Sequence, residues 1–143
     1  MNDYKITPEQ YQEIIDKIHL ATISLESSSC KLKSENISDK ASKIQLNDDI
    51  DYQRIDENTV NLLIEYKLSV RKGRRVYLTI KAKYSIILLA DCKLTDEFID
   101  IYIETNLRIH SYPYFRNFAQ DTTSRMGIPP LTLPFYKVGI FSD

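Results

Sequence analysis

The chain has 143 residues, of which 43% are apolar and 27% charged, and 19 basic side chains face 20 acidic ones for a formal charge of −1. That length fits a single domain, 1–143, with a modest core. The charge balance offers no field to attract nucleic acid or an anionic membrane, and with only 3 glycines there is no Gly-rich loop to cradle a phosphate.

The chain opens on a helix signal. Thr7 is placed to cap, Pro8 takes the first helical position and Gln10 completes a capping box. Ile6 and Tyr11 are spaced as a hydrophobic staple, and Tyr11, Ile14, Ile15 and Ile18 form one apolar stripe, giving a helix over 7–18. The stripe could dock on the domain's own sheet or meet a partner. Strands are expected over 20–90. Ala21, Ile23 and Leu25 alternate with polar residues, but Cys30 and Leu32 fall on the opposite parity, so a β-bulge or bend is expected near Ser27 to Ser29. Residues Lys33 to Lys43 are polar and read as a long connecting loop.

Three period-2 runs follow: Ile44, Leu46, Ile50 and Tyr52; Val60 to Val70; and Val76 to Leu88. Polar residues hold most opposite positions, as a sheet covered on one face requires. Lys72-Gly73-Arg74 reads as a tight turn. Ile87 and Leu89 make the last run apolar on both parities, so that end should be buried on both sides by another segment or subunit. Asp48, Asp49 and Asp51 lack the Gly and terminal Glu of a calcium loop and read as a solvated strand edge.

Two helices are expected over 95–127. Thr95 is a cap with Asp96 and Glu97 at the positive end, and Phe98, Ile99, Ile101, Tyr102 and Ile103 make the first helix apolar over much of its circumference. These five are candidate oligomer-interface residues, because such a helix is too apolar for full exposure. The second helix is expected after Tyr112-Pro113, with Phe115, Phe118, Ala119, Thr122 and Met126 inward and Gly127 as the stop. Residues 128–143, rich in Pro, should run extended. Strands followed by helices argue for an α+β fold with an antiparallel sheet.

Little chemistry is legible. Cys30 and Cys92 are read as reduced thiols, and no spacing suggests zinc. His19 and His110 have no recognisable triad context. No catalytic residue, metal site or cofactor is expected. Met-Asn-Asp-Tyr-Lys carries no apolar signal core, and the longest apolar run, Ile86 to Ala90, is too short to span a bilayer, which places the protein in the cytoplasm. What stands out is apolar surface beyond what one sheet face needs, pointing to subunit contacts or a binding groove.

Tyr112-Pro113-Tyr114-Phe115-Arg116, followed by Thr123-Ser124-Arg125-Met126-Gly127-Ile128-Pro129-Pro130-Leu131-Thr132-Leu133, closely resembles the SecB chaperone family. The resemblance extends over residues 18–136. It implies a four-stranded antiparallel sheet with helices on one face, pairing of sheets between subunits and a homotetramer built as a dimer of dimers. It also implies an ATP-independent holdase that binds unfolded clients in apolar grooves, for export or to shield an antitoxin. Ile44, Leu46, Leu131, Leu133 and Phe135 are the client-contact candidates it suggests; Ile44 and Leu46 could equally be core, since they share parity with Ile50 and Tyr52. The capped helix at 7–18 is an addition to the family pattern, and the family's further C-terminal helix and metal-binding tail are not found before Asp143. These departures count against delivery to the export motor SecA but not against client holding. A dedicated interaction adaptor with the same fold is the alternative function, and an enzyme the third.

Overall fold

The computed structural model describes residues 5–33, 43–129, 131–134 and 136, with Leu20 by its backbone alone. The loop expected between Lys33 and Lys43 falls mostly outside the described residues. In chain order the elements are α1 (Pro8–Asp16), β1 (Ile18–Leu32), β2 (Lys43–Asp56), β3 (Thr59–Lys72), β4 (Arg75–Ala90), α2 (Asp96–Tyr102), a π-helical segment (Ile103–Leu107) and α3 (Arg108–Arg125). The strands form one antiparallel sheet in the order β1-β4-β3-β2.

Alternation decides the sheet's two faces. Every even residue of β3 from Val60 to Val70, and of β4 from Leu78 to Ala90, is buried on an inner face under the helices. The opposite face is largely polar, with Glu65 across from Lys83 and the Ser85 hydroxyl donating to Asn61 Oδ1 at 2.6 Å. Ile87 and Leu89 lie on this outer face and are half-buried, short of the two-sided burial their composition suggests. Gly73, at φ 63°, takes the first central position of the β3–β4 turn, where a side chain would be strained.

The phase change in β1 is resolved by a bulge. Leu25 pairs with Tyr84 and Ser27 with Lys83, so Glu26 is an extra residue. The bulge keeps Ala21, Ile23 and Leu25 on the same face as Ser28, Cys30 and Leu32, opposite the even residues of β4. A second irregularity at His19 sets Ile18 against Ala90. Ile18 therefore belongs to the strand, and α1 ends at Asp16, two residues sooner than the apolar stripe suggests.

The helical half differs more from expectation. α2 runs through the π-helical segment directly into α3, and Pro113 sits inside α3 rather than before it. Proline in a helix interior costs about 3 kcal/mol through its missing N–H and its clash with the preceding turn. Packing outweighs that cost, because Ser111, Tyr112 and Phe115 on either side are fully buried and fix the helix direction. The hydroxyls of Thr105 and Ser111 donate back to the carbonyls of Ile101 and Leu107, four residues earlier and both at 2.7 Å, along the π-helical segment and the turn after it. α3 stops at Gly127, which has φ 74°.

Deleting the extra Glu26 should leave both halves of β1 facing as they do, with Leu25 and Ser27 consecutive. Inserting a second residue beside it should instead force one half of β1 to turn its apolar side chains outward. We expect the unfolding free energy of the insertion variant to fall by about 1–2 kcal/mol, because Ile18 and Ile23 each forfeit part of a side chain's burial. Amide hydrogen exchange should accelerate in β1 and remain slow in β3; equal protection along an intact β1 would contradict the role given to the bulge.

Candidate functional site

The helices do not cover the sheet evenly. Tyr66, at the middle of β3, is wholly buried and stacks on Phe115 with ring centroids 5.1 Å apart. Tyr112 meets the same ring edge-on at 6.0 Å, and the Tyr66 and Ser111 hydroxyls lie 2.6 Å apart. Burial pushes the Tyr66 phenol well above its ordinary pKa, so it remains a neutral hydrogen-bonding group. These contacts seat α3 over the middle of the sheet.

One flank of α3 is closed. Arg108 binds Asp48 of β2 through two nitrogens, Nε and an Nη that lies 3.2 Å from Oδ1. Asp48 is thus an inward, largely buried partner of α3 and not the solvated edge residue the sequence suggested; Asp49 and Asp51 alternate to the other face. The chain after Gly127 is pinned along α3: Thr123 Oγ1 accepts from Leu131 N–H at 2.8 Å, Arg116 Nε donates to the Leu133 carbonyl at 2.7 Å, and the Tyr112 hydroxyl donates to the Pro134 carbonyl at 2.8 Å.

Among the described residues the other flank is open. Nearly all of β1 is exposed, including the inner-face residue Leu25 at 45%. Between β1 and α3 lie two adjoining clefts of about 410 and 300 Å³ that share Ile23 and Tyr114. Leu25, Tyr84, Phe118 and Asp121 line the first, and Ala21, Ile86, Tyr102 and His110 the second. The Tyr102 hydroxyl lies 2.8 Å from His110 Nδ1, and burial raises the Tyr102 pKa to about 12. The result is an apolar groove with a few polar groups, running beside an edge strand whose outer hydrogen-bonding side pairs with nothing among the described residues.

The residues singled out from sequence fall into several environments. Ile44 is 47% exposed at the start of β2, while Leu46, two residues on, is 6% exposed and part of the core. Leu133 is buried, Leu131 half-buried against the core, and Phe135 lies outside the described residues. Phe98, Ile99, Ile101 and Tyr102 are buried within a single chain, and Ile103 is half-buried. The chain's own packing therefore covers these apolar side chains without a partner subunit. The open groove was missed. Its signals were Ala21, Ile23 and Leu25 on a strand that ends a sheet, and Tyr114, an aromatic residue off the inward stripe of α3.

No family model matches the chain, and no curated protein does. Solved structures do. A SecB-like chaperone from Mycobacterium tuberculosis, solved in complex with a ChAD peptide from the HigA1 antitoxin, superposes with a TM-score of 0.74 at 18% identity, covering 89% of this chain and 99% of that one. A protein of unknown function from Streptococcus agalactiae superposes at 0.47 and 11% identity, over 82% of this chain and 98% of that one. The chain thus has a SecB-like fold. Among the described residues, no helix is long and apolar enough to cross a membrane.

Leu46→Ala should cost about 2–5 kcal/mol of stability, as for other truncations of a buried leucine. Ile44→Ala should cost under about 1 kcal/mol, being half-exposed. Urea unfolding of the two variants checks the contrast, and equal losses would show that the two positions share one environment.

Proposed function

We propose that this protein is an ATP-independent chaperone, a non-enzymatic holdase that binds unfolded or aggregation-prone polypeptide segments. The observation that carries the reading is the apolar groove that the described residues leave open between β1 and α3, beside a strand edge that pairs with none of them, in a SecB-like fold. An extended client presents backbone N–H and C=O groups that an edge strand can pair, and alternate side chains that an apolar groove can bury at on the order of 25 cal/mol per Å². Neither interaction reads a particular sequence. The antitoxin peptide held by the mycobacterial chaperone makes an antitoxin one candidate class of partner. Ile44 and Leu131, on the far side of α3, are proposed as secondary client contacts, and the cytoplasm as the compartment. A dedicated adaptor that holds one partner is the narrower alternative.

The purified protein should suppress the aggregation of an unrelated denatured protein without nucleotide, as read by light scattering. Combining Leu25→Asp with Tyr114→Asp should reduce that protection about tenfold or more, since a client would have to desolvate two carboxylates. Both positions are exposed, so the variant should stay folded by circular dichroism. No suppression by the native protein at several-fold molar excess would favour the adaptor.

A second reading concerns assembly. β1 is a long edge strand with an exposed face, and such edges pair unless they are blocked. We propose that, where no client occupies this edge, copies of the chain join through β1 and such pairs assemble further into a dimer of dimers, so that assembly and edge pairing by a client compete. Sedimentation should then show self-association at micromolar concentration; a stable monomer would refute it.

A further inference from the structure

The apolar groove does not end where its opening ends. Tyr102, which lines the smaller cleft, packs against Phe98 at 6.2 Å between ring centroids. Phe98 is wholly buried, and the ring stacked on it at 5.0 Å belongs to Tyr11 of α1. A line of aromatic rings therefore runs from the open groove to a point beneath the N-terminal helix.

α1 is lightly held. It has 9 residues, none fully buried. A helix of that length has little stability of its own, so its persistence depends on docking. Its attachments are the Tyr11 stack, the Tyr11 hydroxyl donating to Asn106 Oδ1 at 2.6 Å, the Glu97 carboxylate accepting from the Lys5 and Ile6 N–H groups just before the helix, and the half-buried Ile14 and Ile15 against the core. Its junction to the sheet is fixed separately, by Asp91 N–H donating to the Lys17 carbonyl at 2.9 Å. Releasing α1 would leave that bond and the β1–β4 pairing in place.

We propose that α1 is a displaceable strap that closes the far end of the client groove by seating Tyr11 on Phe98. With the strap docked, a client reaches the groove only as far as Tyr102. With it released, Phe98 extends the apolar floor, and the client takes the position of the Tyr11 ring. Apparent affinity is then lowered by the fraction of molecules in the closed state, and weakening the strap restores it. The proposal rests on the reading of the β1–α3 groove as a client site.

The test uses the full chain with Tyr11→Ala, which removes both the stack and the hydroxyl, and Tyr11→Phe, which retains the stack. Reduced, carboxymethylated α-lactalbumin serves as an unfolded probe, bis-ANS as a reporter of exposed apolar surface, and amide hydrogen exchange as a local readout. Tyr11→Ala should bind the probe about tenfold more tightly than the native chain, with Tyr11→Phe in between. Its exchange should accelerate over residues 8–16 while β3 and β4 stay protected. Unchanged or weaker binding of both probe and dye by a Tyr11→Ala chain whose α1 exchanges freely would overturn the strap. So would α1 amides that exchange as slowly as those of β3 in the native chain. If no form binds the probe but Tyr11→Ala alone gains dye binding, the strap stands and the client reading fails.

Discussion

The packing of Tyr66 against α3 determines how the rest of the molecule is arranged. Its ring lies at the centre of the inner sheet face, stacked on Phe115 and edge-on to Tyr112, with its hydroxyl against Ser111. An aromatic side chain of this kind buries a large area, and its polar tip needs a partner once dry. Ser111 provides one and also donates to the Leu107 carbonyl at the end of the π-helical segment. Sheet and helix are thus joined by one contact that is apolar along the ring and hydrogen-bonded at its end. α3 is centred there, with one flank toward β2 and the other toward β1.

The two flanks then diverge because of what each side of α3 carries. Toward β2, Arg108, Tyr112, Arg116 and Thr123 find a carboxylate or a segment of the tail, and the surface closes. Toward β1, Tyr114 and Phe118 meet side chains that α3 does not fully cover. Small and polar residues in β1, from Ser27 to Ser29, give no apolar incentive for closer approach over its second half. A groove remains because the sequence of β1 does not demand burial while its first half still offers Ile23 and Leu25. At the far end of the groove α1 supplies cover of its own, with Tyr11 stacked on Phe98 of α2.

Much of the sheet could be read from periodicity, because burial on one face imposes a strict two-residue repeat on β3 and β4 and a visible phase error in β1. The cap residues Thr7 and Thr95 act as their local chemistry suggests, each accepting an N–H from the first turn of its helix. Tyr112, Arg116, Leu131 and Leu133, within the segments that resemble SecB, are also where the tail is tied to α3. That gives the resemblance a structural cause. Features set by long-range packing were not legible. Pro113 reads as a helix start until the burial of Ser111, Tyr112 and Phe115 is known. Asp48 reads as solvated until Arg108, 60 residues away, is found beside it. The groove is the extreme case, since it is opened by residues such as Leu25 and Tyr114 that the described residues leave exposed, and periodicity reports only what is covered.

The geometry of that groove favours an extended chain over a compact ligand. Inner-face positions along the first half of β1 recur every second residue, roughly 6.4–6.8 Å apart. Ala21, Ile23 and Leu25 therefore present an apolar contact at the same interval at which a client strand presents alternate side chains. The two clefts meet at Ile23 and Tyr114, so a side chain entering one has a neighbour placed for the other. A small molecule would use one cleft and gain nothing from the outer edge of β1, which pairs with none of the described residues. A polypeptide in register would use both, adding backbone hydrogen bonds along the edge to side-chain burial over it. In the proposed client role, specificity from such a surface would be weak for sequence and strong for conformation: it would discriminate an extended apolar segment from a folded one, whose backbone groups are already paired and whose apolar side chains are already buried.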